Sequence, residues 1–383
     1  MVRDPARREV RMMMRHRAVW SAGFLLFFLL VLAASAEGQP PEGQKERSLE
    51  LVRELELPLP RFRRAADLRW AGEEKLAVAD LREGVFTAST LTGQTDKAKL
   101  IRGAKERRGF WLAARLGFSN RFVVTAAPVH ELAWSERGSG SLKRADFVWV
   151  VDLDLRGDQL LLLGQRRDED GQVAPDGGIL WAATLSEEPV AWTPRMFAAD
   201  GPGPGRMDAC AILELASVRF MRDGSYLVVP GIQPGVFLYA ASGKLRRAWD
   251  HKALGFYADC DISTEQTTRL SADSEARQLW RNQRVLVEDL FELDSLPALL
   301  LRSHQGGETS WVAKILHPDG STEDLAVPYV SSSPWTHLKV DVAGDVLAML
   351  VREGIEDQRP EGKKAAIWQP SVRPHIKLFK LAK

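Results

Sequence analysis

One pattern recurs along most of this chain: a run of β-favouring residues, a polar turn and a second apolar run. It occurs six times, at residues 85–100, 131–142, 179–192, 236–245, 312–327 and 366–378. Each copy has the composition of a β-hairpin. Because the hairpin recurs along the chain, we interpret it as the outer pair of strands of a repeated unit.

A second pattern precedes the hairpins, namely a Gly, Asp or Asn turn followed by a short apolar run. The copies at residues 153–164 and 220–231 match best, with Gly157 and Gly224 at their turns. Gly tolerates the positive φ that a tight turn often needs. The run after the turn is apolar at consecutive positions, which is typical of a strand covered on both faces by neighbouring sheets. We expect this run to be the innermost strand of each unit.

Four-stranded sheets that stack on one another and close into a ring form a β-propeller. Six units over residues 61–383 average about 54 residues, slightly more than the usual length of a blade. Insertions at about 165–178 and 250–284 account for the surplus, and seven blades remain an alternative. The expected fold class is all-β, a β-propeller of six four-stranded blades preceded by an N-terminal signal peptide.

These turn-and-strand units carry a resemblance to a known superfamily. They lie around Arg156-Gly157, Asp223-Gly224 and Gly344-Asp345, with outer turns at Ala241-Ser242-Gly243 and Pro318-Asp319-Gly320. In these features residues 61–383 resemble the six-bladed β-propeller superfamily of the NHL and TolB-like kind. The resemblance is architectural, and it implies a central channel and a loop-built face that binds a ligand.

The first 36 residues have the features of an export signal. Residues 1–17 contain six Arg and carry a net charge of +4, and residues 18–36 are uncharged. The run ends at Ala34-Ser35-Ala36, a small-x-small site of the kind that signal peptidase cleaves. We therefore expect residues 1–36 to be removed and the protein to be periplasmic or secreted. The alternative is an uncleaved anchor, because 19 uncharged residues are about enough to span a bilayer.

Residues 37–60 are expected to form an extended or partly ordered segment ahead of a propeller domain at 61–383. Apolar residues at 49, 51, 55 and 57 suit a strand, whereas the Glu and Leu content of the same stretch favours a helix. The secondary structure of this segment is therefore left open by the pattern.

The chain has two cysteines, Cys210 and Cys260. Export permits a disulfide between them, and a bridge that closes about 50 residues contributes roughly 4 kcal/mol in the chain-entropy model. We expect this bridge, with two buried thiols as the alternative. It would pin the insertion at 250–284 to the preceding unit. Within that insertion, Ala276, Leu279 and Trp280 have the spacing of a short helix.

Acidic residues at two places are candidate metal ligands. Asp152 and Asp154 alternate with apolar residues, so both carboxylates point to one side of a strand and form a candidate pair facing the channel. Asp168 and Asp170 lie in a polar loop that offers oxygens to Ca²⁺ but lacks the ligand spacing of an EF-hand. The alternatives are turn-stabilising carboxylates in the first case and a solvated surface loop in the second. No other cofactor is expected.

The sequence contains neither H-E-x-x-H nor G-x-S-x-G, which mark metalloprotease and hydrolase sites. We therefore expect an exported, non-catalytic binding or scaffold protein that recognises a protein or envelope ligand with one propeller face. A metal-dependent hydrolase of the lactonase kind, with carboxylates in the channel, is the alternative. The body from residue 37 onward carries a net charge of −3, which does not suit nucleic-acid binding. No membrane span is expected after signal cleavage.

Overall fold

Twenty-three β-strands carry most of the regular structure in the described part of the chain. A computed structural model describes residues 47–57, 65–80, 84–91, 95–97, 115–126, 129–139, 141–166, 178–197, 210, 213–260, 262–355 and 371–382. The expected signal peptide and the acidic loop with Asp168 and Asp170 lie outside these ranges. Residues Ser48–Ala382 form a single compact unit.

The strands are short and follow one another through tight turns. The first twelve are β1 (Ser48–Glu56), β2 (Ala65–Gly72), β3 (Lys75–Asp80), β4 (Gly84–Ser89), β5 (Thr95–Lys97), β6 (Arg115–Phe118), β7 (Phe122–Ala126), β8 (Val129–Glu136), β9 (Lys143–Arg156), β10 (Gln159–Arg166), β11 (Gly178–Thr184) and β12 (Thr193–Phe197). The remaining strands are β13 (Ser217–Phe220), β14 (Tyr226–Val229), β15 (Val236–Tyr239), β16 (Leu245–Trp249), β17 (Leu286–Leu293), β18 (Leu296–Gln305), β19 (Glu308–Leu316), β20 (Thr322–Ser331), β21 (His337–Ala343), β22 (Val346–Ile355) and β23 (Ser371–Ala382).

The strands assemble into six four-stranded antiparallel blades. The first blade is β2 to β5, the fourth is β13 to β16 and the fifth is β17 to β20. The second and third blades share β9: its first half pairs with β8, and its second half pairs with β10. Each inner strand contacts the inner strand of the next blade, and that of the sixth blade contacts β2, so the ring closes. The predicted six-bladed propeller is confirmed.

The sixth blade is completed by the N-terminal strand. Its order is β21, β22, β23 and then β1, which pairs with β23 from Ser48↔Ala382 to Glu56↔His375. The propeller therefore includes residues 48–56, which the sequence pattern placed ahead of a boundary at 61. Of the hairpin predicted at 366–378, residues 366–370 lie outside the described ranges, and residues 371–378 belong to β23, which pairs with β22 and β1. Segment 48–56 is a strand because β23 satisfies its backbone, while Leu49 and Leu55 are buried.

The run after each turn is the second strand of its blade, so its predicted innermost position is wrong. In the third blade the inner strand is the second half of β9, and the apolar run is β10. A second strand has sheet on both sides and a neighbouring blade on both faces, which explains its continuous apolar character. The inner strand borders the channel and carries charged residues instead.

Six clusters of buried apolar side chains hold the ring together, one at each blade junction. On β10, Leu160 and Leu162 pack in the cluster shared with the second blade, whereas Leu161 and Leu163 pack in the cluster shared with the fourth. Alternate side chains of one strand thus enter two different cores, as the period of a strand requires. The predicted burial on both faces is confirmed.

The insertion between the fourth and fifth blades contains two helices, α1 (Thr264–Ala272) and α2 (Ser274–Asn282). Helix α2 confirms the predicted helix and buries Trp280, although Leu279 is 59% exposed. The predicted disulfide between Cys210 and Cys260 is confirmed, with Cα atoms 5.2 Å apart. Neither helix is long and apolar enough to serve as a membrane span, and none other in the described ranges is.

Gly231 packs directly against this disulfide. It has a φ of +73°, and a Cβ atom there would lie 2.7 Å from Sγ of Cys260 and 2.8 Å from Sγ of Cys210. We expect Gly231→Ala to lower the free energy of unfolding by about 2–4 kcal/mol, because backbone strain and overpacking add. Equilibrium denaturation in urea measures the loss.

Gly306→Ala is the matched control, since Gly306 has a φ of +60° and open space around its Cα. Its free energy of unfolding should fall by only about 1 kcal/mol, because the substitution strains the backbone but creates no clash. Equal losses in the two variants would show that the disulfide tolerates the added methyl group.

Candidate functional site

The inner strands carry charged residues at alternating positions. Asp67 and Arg69 flank Leu68 on β2, and Asp152 and Asp154 flank Leu153 on β9. The two leucines are fully buried in interblade clusters. Because side chains alternate along a strand, the charged residues project to the other side, toward the inner strands across the channel.

A charged side chain bridges each of the six blade junctions by binding the backbone of the next inner strand. At four junctions a carboxylate accepts a backbone N–H: Leu116 donates to Asp67 (2.9 Å), Val218 to Asp152 (3.0 Å), Val340 to Asp289 (2.9 Å) and Trp70 to Asp341 (2.7 Å). At the other two a guanidinium donates to a carbonyl: Arg115 Nε to Val151 (2.8 Å) and Arg219 Nε to Leu290 (2.8 Å). These bonds close a full circle.

Ion pairs connect the same residues across the channel. We call this set the axial network; it comprises Asp67, Arg69, Asp152, Asp154, Arg219, Asp289, Lys339 and Asp341. Arg69 lies 2.7 Å from Asp67 and 3.5 Å from Asp154, and Arg219 lies 3.3 Å from Asp289, 3.6 Å from Asp341 and 3.8 Å from Asp154. Most of these side chains are buried.

Burial and charge act in opposite directions on the pKa values of this network. Burial lowers the pKa of Arg69, but the carboxylates of Asp67 and Asp154 outweigh it and raise that pKa. Burial also raises the pKa of Asp289, but Lys339 and Arg219 outweigh it and lower that pKa. For Asp154 burial wins, and its pKa lies above the usual range despite Arg219 and Arg69.

The structure brings the two predicted strand acids together in this network. Asp152 accepts hydrogen bonds from the Ser217 hydroxyl (2.5 Å) and from the backbone of Val218. Asp154 accepts one from the backbone of Phe220 (2.8 Å). Both carboxylates are buried and engaged with donors from the fourth blade. Over the described ranges, no group of three or more His, Cys, Asp and Glu side chains is placed to hold a metal ion.

A second charged cluster lies at one end of the channel, where the inner strands begin. His337 starts β21 and is the register partner of Arg352, and Arg302 is the register partner of Leu286 at the start of β17. Glu214 precedes β13, and Arg281 lies near the end of α2. We call this set the mouth cluster; it comprises Arg115, Glu214, Arg281, Glu288, Arg302, His337 and Arg352.

Glu214 occupies the solvent-facing position of the mouth cluster. Its side chain is 44% exposed, more than that of Arg115 or Arg281 beside it. Its carboxylate lies 3.6 Å from Arg115 and 3.5 Å from Arg281. Burial raises its pKa, but these guanidinium groups outweigh burial and hold the pKa well below the usual range. Glu214 also has a φ of +54°, a strained conformation of the kind that clusters at functional sites.

Glu288 and His337 form a buried pair beside Arg302. Nδ1 of His337 lies 2.8 Å from Glu288, and Nε of Arg302 lies 3.8 Å from it. Burial raises the pKa of Glu288, but His337 and the nearby guanidinium groups bring it down to about 2. Burial lowers the pKa of His337, despite the opposing effect of Glu288. Glu288 is therefore ionised at neutral pH.

The mouth cluster has more guanidinium groups than carboxylates. Four arginines face two glutamates, and within the described ranges no acceptor binds Nε of Arg281, Nη1 of Arg302 or Nε of Arg352. Burial lowers the pKa of Arg352 more than Glu214 and Glu288 raise it, and burial lowers that of Arg302 to about 10. Both shifts come mainly from burial, and the neighbouring guanidinium groups of Arg281 and Arg115 add to them.

The sequence patterns did not identify the mouth cluster. Its members come from four blades and the insertion, and they lie far apart along the chain. A weaker signal was present for the axial network, since charged residues occur two apart around an apolar residue in three of the inner strands. Asp67-Leu68-Arg69, Asp152-Leu153-Asp154 and Lys339-Val340-Asp341 share this pattern.

Comparisons with known proteins identify the fold and no family. No model of a protein family matches the chain, and no curated protein matches it. A member of the DUF4221 family from Bacteroides vulgatus superposes over 89% of this chain and 99% of its own, with a TM-score of 0.50 and 9% identity. The calcium-binding protein regucalcin from Agrobacterium tumefaciens superposes over 88% and 97%, with a TM-score of 0.45 and 10% identity. The first likeness concerns the fold alone.

Arg219 is the central cation of the axial network. We expect Arg219→Met to lower the free energy of unfolding by about 3–5 kcal/mol, because Asp154, Asp289 and Asp341 would each lose a buried counter-charge. Arg121→Met, which removes an exposed ion pair to Glu136, should cost less than about 1 kcal/mol. Similar losses in the two variants, measured by chemical denaturation, would contradict a structural role for the network.

Acid should destabilise the protein partly through Glu288. Its pKa is 4.5 in the unfolded chain and about 2 in the folded protein. Its stabilising contribution is therefore complete above pH 4.5 and is lost as the pH falls toward 2. We expect the free energy of unfolding of Glu288→Gln to fall less than that of the unaltered protein between pH 5 and 2.5, by up to about 3 kcal/mol. If the free energies of unfolding of the two proteins fall equally over this pH range, Glu288 has an ordinary pKa in the folded protein.

Proposed function

We propose that this protein is an exported, non-catalytic binding protein that holds an acidic group of a protein or envelope ligand at the channel mouth. The observation that carries the proposal is the set of guanidinium donors on Arg281, Arg302 and Arg352 that lack acceptors. A buried polar group without a partner costs free energy, and a carboxylate or phosphate of a ligand would supply the missing acceptors. Guanidinium groups suit such oxyanions because they donate in a planar fork.

The surroundings of the mouth cluster also favour ligand binding. The insertion with α1 and α2 approaches the mouth, and α2 contributes Arg281. Arg277, one turn earlier on the same helix, adds another cation near Glu214, and burial lowers its pKa. Binding residues are often held on loops and insertions above a rigid scaffold. Glu214 is the exposed member of the cluster, so a ligand that approaches from solvent meets the cluster at this carboxylate and its paired arginines.

The charged groups suit binding better than hydrolysis. A general acid needs a pKa near the working pH, whereas both glutamates of the mouth have lowered pKa values. The carboxylates of the axial network are mostly buried and already accept hydrogen bonds from backbone or arginine. Oδ1 of Asp152 accepts no hydrogen bond, but it lies 3.5 Å from Nε of Arg115. The raised pKa of Asp154 favours the hydrolase alternative, but this carboxylate is buried and already accepts a hydrogen bond from the backbone of Phe220.

Two features support export. The first 36 residues have the charge and hydropathy pattern of a signal peptide. The bond between Cys210 and Cys260 is of a kind that persists in oxidising compartments. Periplasmic and secreted locations both fit these features.

Arg352 offers a direct test, because no ion pair or hydrogen bond within the described residues involves its guanidinium. We expect Arg352→Gln to weaken the binding of citrate or inorganic phosphate about tenfold, the loss of one charged hydrogen bond. We also expect its stability in ligand-free buffer to be equal to or above that of the unaltered protein, since an uncompensated buried charge is removed. Isothermal titration calorimetry at constant ionic strength and thermal unfolding provide the two readouts.

Arg121→Gln is the control, because Arg121 is an exposed cation that belongs to neither charged cluster. Its anion affinity should match that of the unaltered protein. Equal anion affinity in Arg352→Gln and the unaltered protein would overturn the assignment of the mouth. Affinity capture from the envelope of the native host, with the unaltered protein and Arg352→Gln in parallel, then identifies partners that depend on the mouth.

A further inference from the structure

A cavity lies at the junction of the fourth and fifth blades, at the end of the propeller opposite the mouth cluster. Its walls come from the turn after β13, the turn after β17, the end of β19 and strand β16. Its volume is about 630 Å³, which falls within the range of small-molecule binding sites. This cavity shares no residue with the mouth cluster.

The inner walls of the cavity are apolar. Met221, Trp249 and Leu316 line it and also belong to the buried cluster between the two blades. Leu238 packs against the same cluster and is only partly buried. The cavity is thus the place where the interblade core opens to solvent. Methionine and tryptophan walls suit a flat apolar group, because a thioether adapts its shape and an indole offers a large rigid face.

The pairing of β15 with β16 places a cation beside this apolar wall. Arg247 and Trp249 are two residues apart on β16, so their side chains lie on the same face of the sheet. Leu238 is the register partner of Arg247 and therefore shares that face. The guanidinium carbon of Arg247 lies 5.9 Å from the centroid of the Trp249 ring.

Arg247 and the indole of Trp249 both offer donors on this wall. The acids of the rim are already paired, Asp223 with Arg246 at 2.7 Å and Glu292 with Arg222 at 3.5 Å. Among the described residues, no carboxylate forms an ion pair with Arg247, although Asp319 on the neighbouring exposed turn acts on it at longer range. The indole Nε1 of Trp249 is buried and has no hydrogen-bond partner among the described residues.

We propose that this cavity binds a small amphipathic anion, with an aromatic or other flat apolar body and one acidic group. The acidic group accepts hydrogen bonds from Arg247 and the indole of Trp249. The apolar body packs between Met221, Leu238 and Leu316. An anion forms an ion pair with Arg247 and satisfies the orphan donor of Trp249, whereas a neutral apolar ligand leaves that donor unpaired. The inference is independent of the function proposed for the mouth.

The test uses 8-anilinonaphthalene-1-sulfonate, an aromatic sulfonate whose fluorescence rises in apolar surroundings. The full-length disulfide-bonded protein is titrated with this probe at neutral pH. We expect Arg247→Gln to raise the dissociation constant about tenfold, the effect of losing a hydrogen bond to a charged group. Trp249→Phe keeps an aromatic wall but removes the Nε1 donor, and it should raise the constant by a smaller factor. Leu238→Trp fills the cavity and should abolish saturable binding.

Arg121→Gln is again the matched control, because Arg121 also lies over an aromatic ring, that of Phe122 at 5.0 Å, but outside the cavity. Its titration should coincide with that of the unaltered protein. Far-ultraviolet circular dichroism and thermal unfolding verify that each variant is folded, and Arg247→Gln is informative even if Leu238→Trp does not fold.

The neutral analogue N-phenyl-1-naphthylamine separates the anion from the apolar body. We expect it to bind at least tenfold more weakly than the sulfonate and to be insensitive to Arg247→Gln. Equal affinity for the two probes would overturn the anionic class of ligand. If Arg247→Gln and Leu238→Trp both bind the probes as tightly as the unaltered protein does, the probes do not bind in this cavity. The proposal then fails.

Discussion

The propeller depends on hydrogen bonds that its inner strands cannot form within their own sheets. An inner strand has a neighbour on one side only, so backbone groups on its other edge point toward the channel and require partners. Charged side chains of adjacent blades supply these partners, as when Asp67 accepts from the backbone of Leu116 and Arg115 donates to Val151. The six apolar clusters pack the blades against one another. The polar bonds set the distance and the register between adjacent inner strands.

This arrangement separates the charge of the channel into two regions. The axial network contains more carboxylates than cations, and the mouth cluster contains more guanidinium groups than carboxylates. Most of the carboxylates of the axial network are buried and bonded, whereas Glu214 in the mouth cluster is exposed beside largely buried arginines. The mouth is therefore a part of the channel where an exposed carboxylate adjoins guanidinium donors that lack acceptors among the described residues.

The disulfide contributes to the geometry of the mouth as well as to stability. Cys210 accepts a backbone hydrogen bond from Leu215, and the carbonyl oxygen of Leu213 accepts one from Arg281. Glu214 lies between Leu213 and Leu215 and has a φ of +54°. Since Cys260 belongs to the insertion, the bond ties the helix that carries Arg281 to the segment that carries its ion-pair partner. The packing of Gly231 against both sulfur atoms restricts this region further.

The sequence by itself determined the repeat, the all-β class, the two-faced burial of strands such as β10 and the pairing of the two cysteines, because these follow from local periodicity and composition. It misplaced the innermost strands, since apolar content marks the middle of a blade and the channel edge is charged. It also missed the role of β1, because only ring closure brings residues 48–56 to β23. The mouth cluster and the cavity at Trp249 were decided by tertiary structure alone. Both depend on which distant blades become neighbours, and no local pattern of residues specifies that.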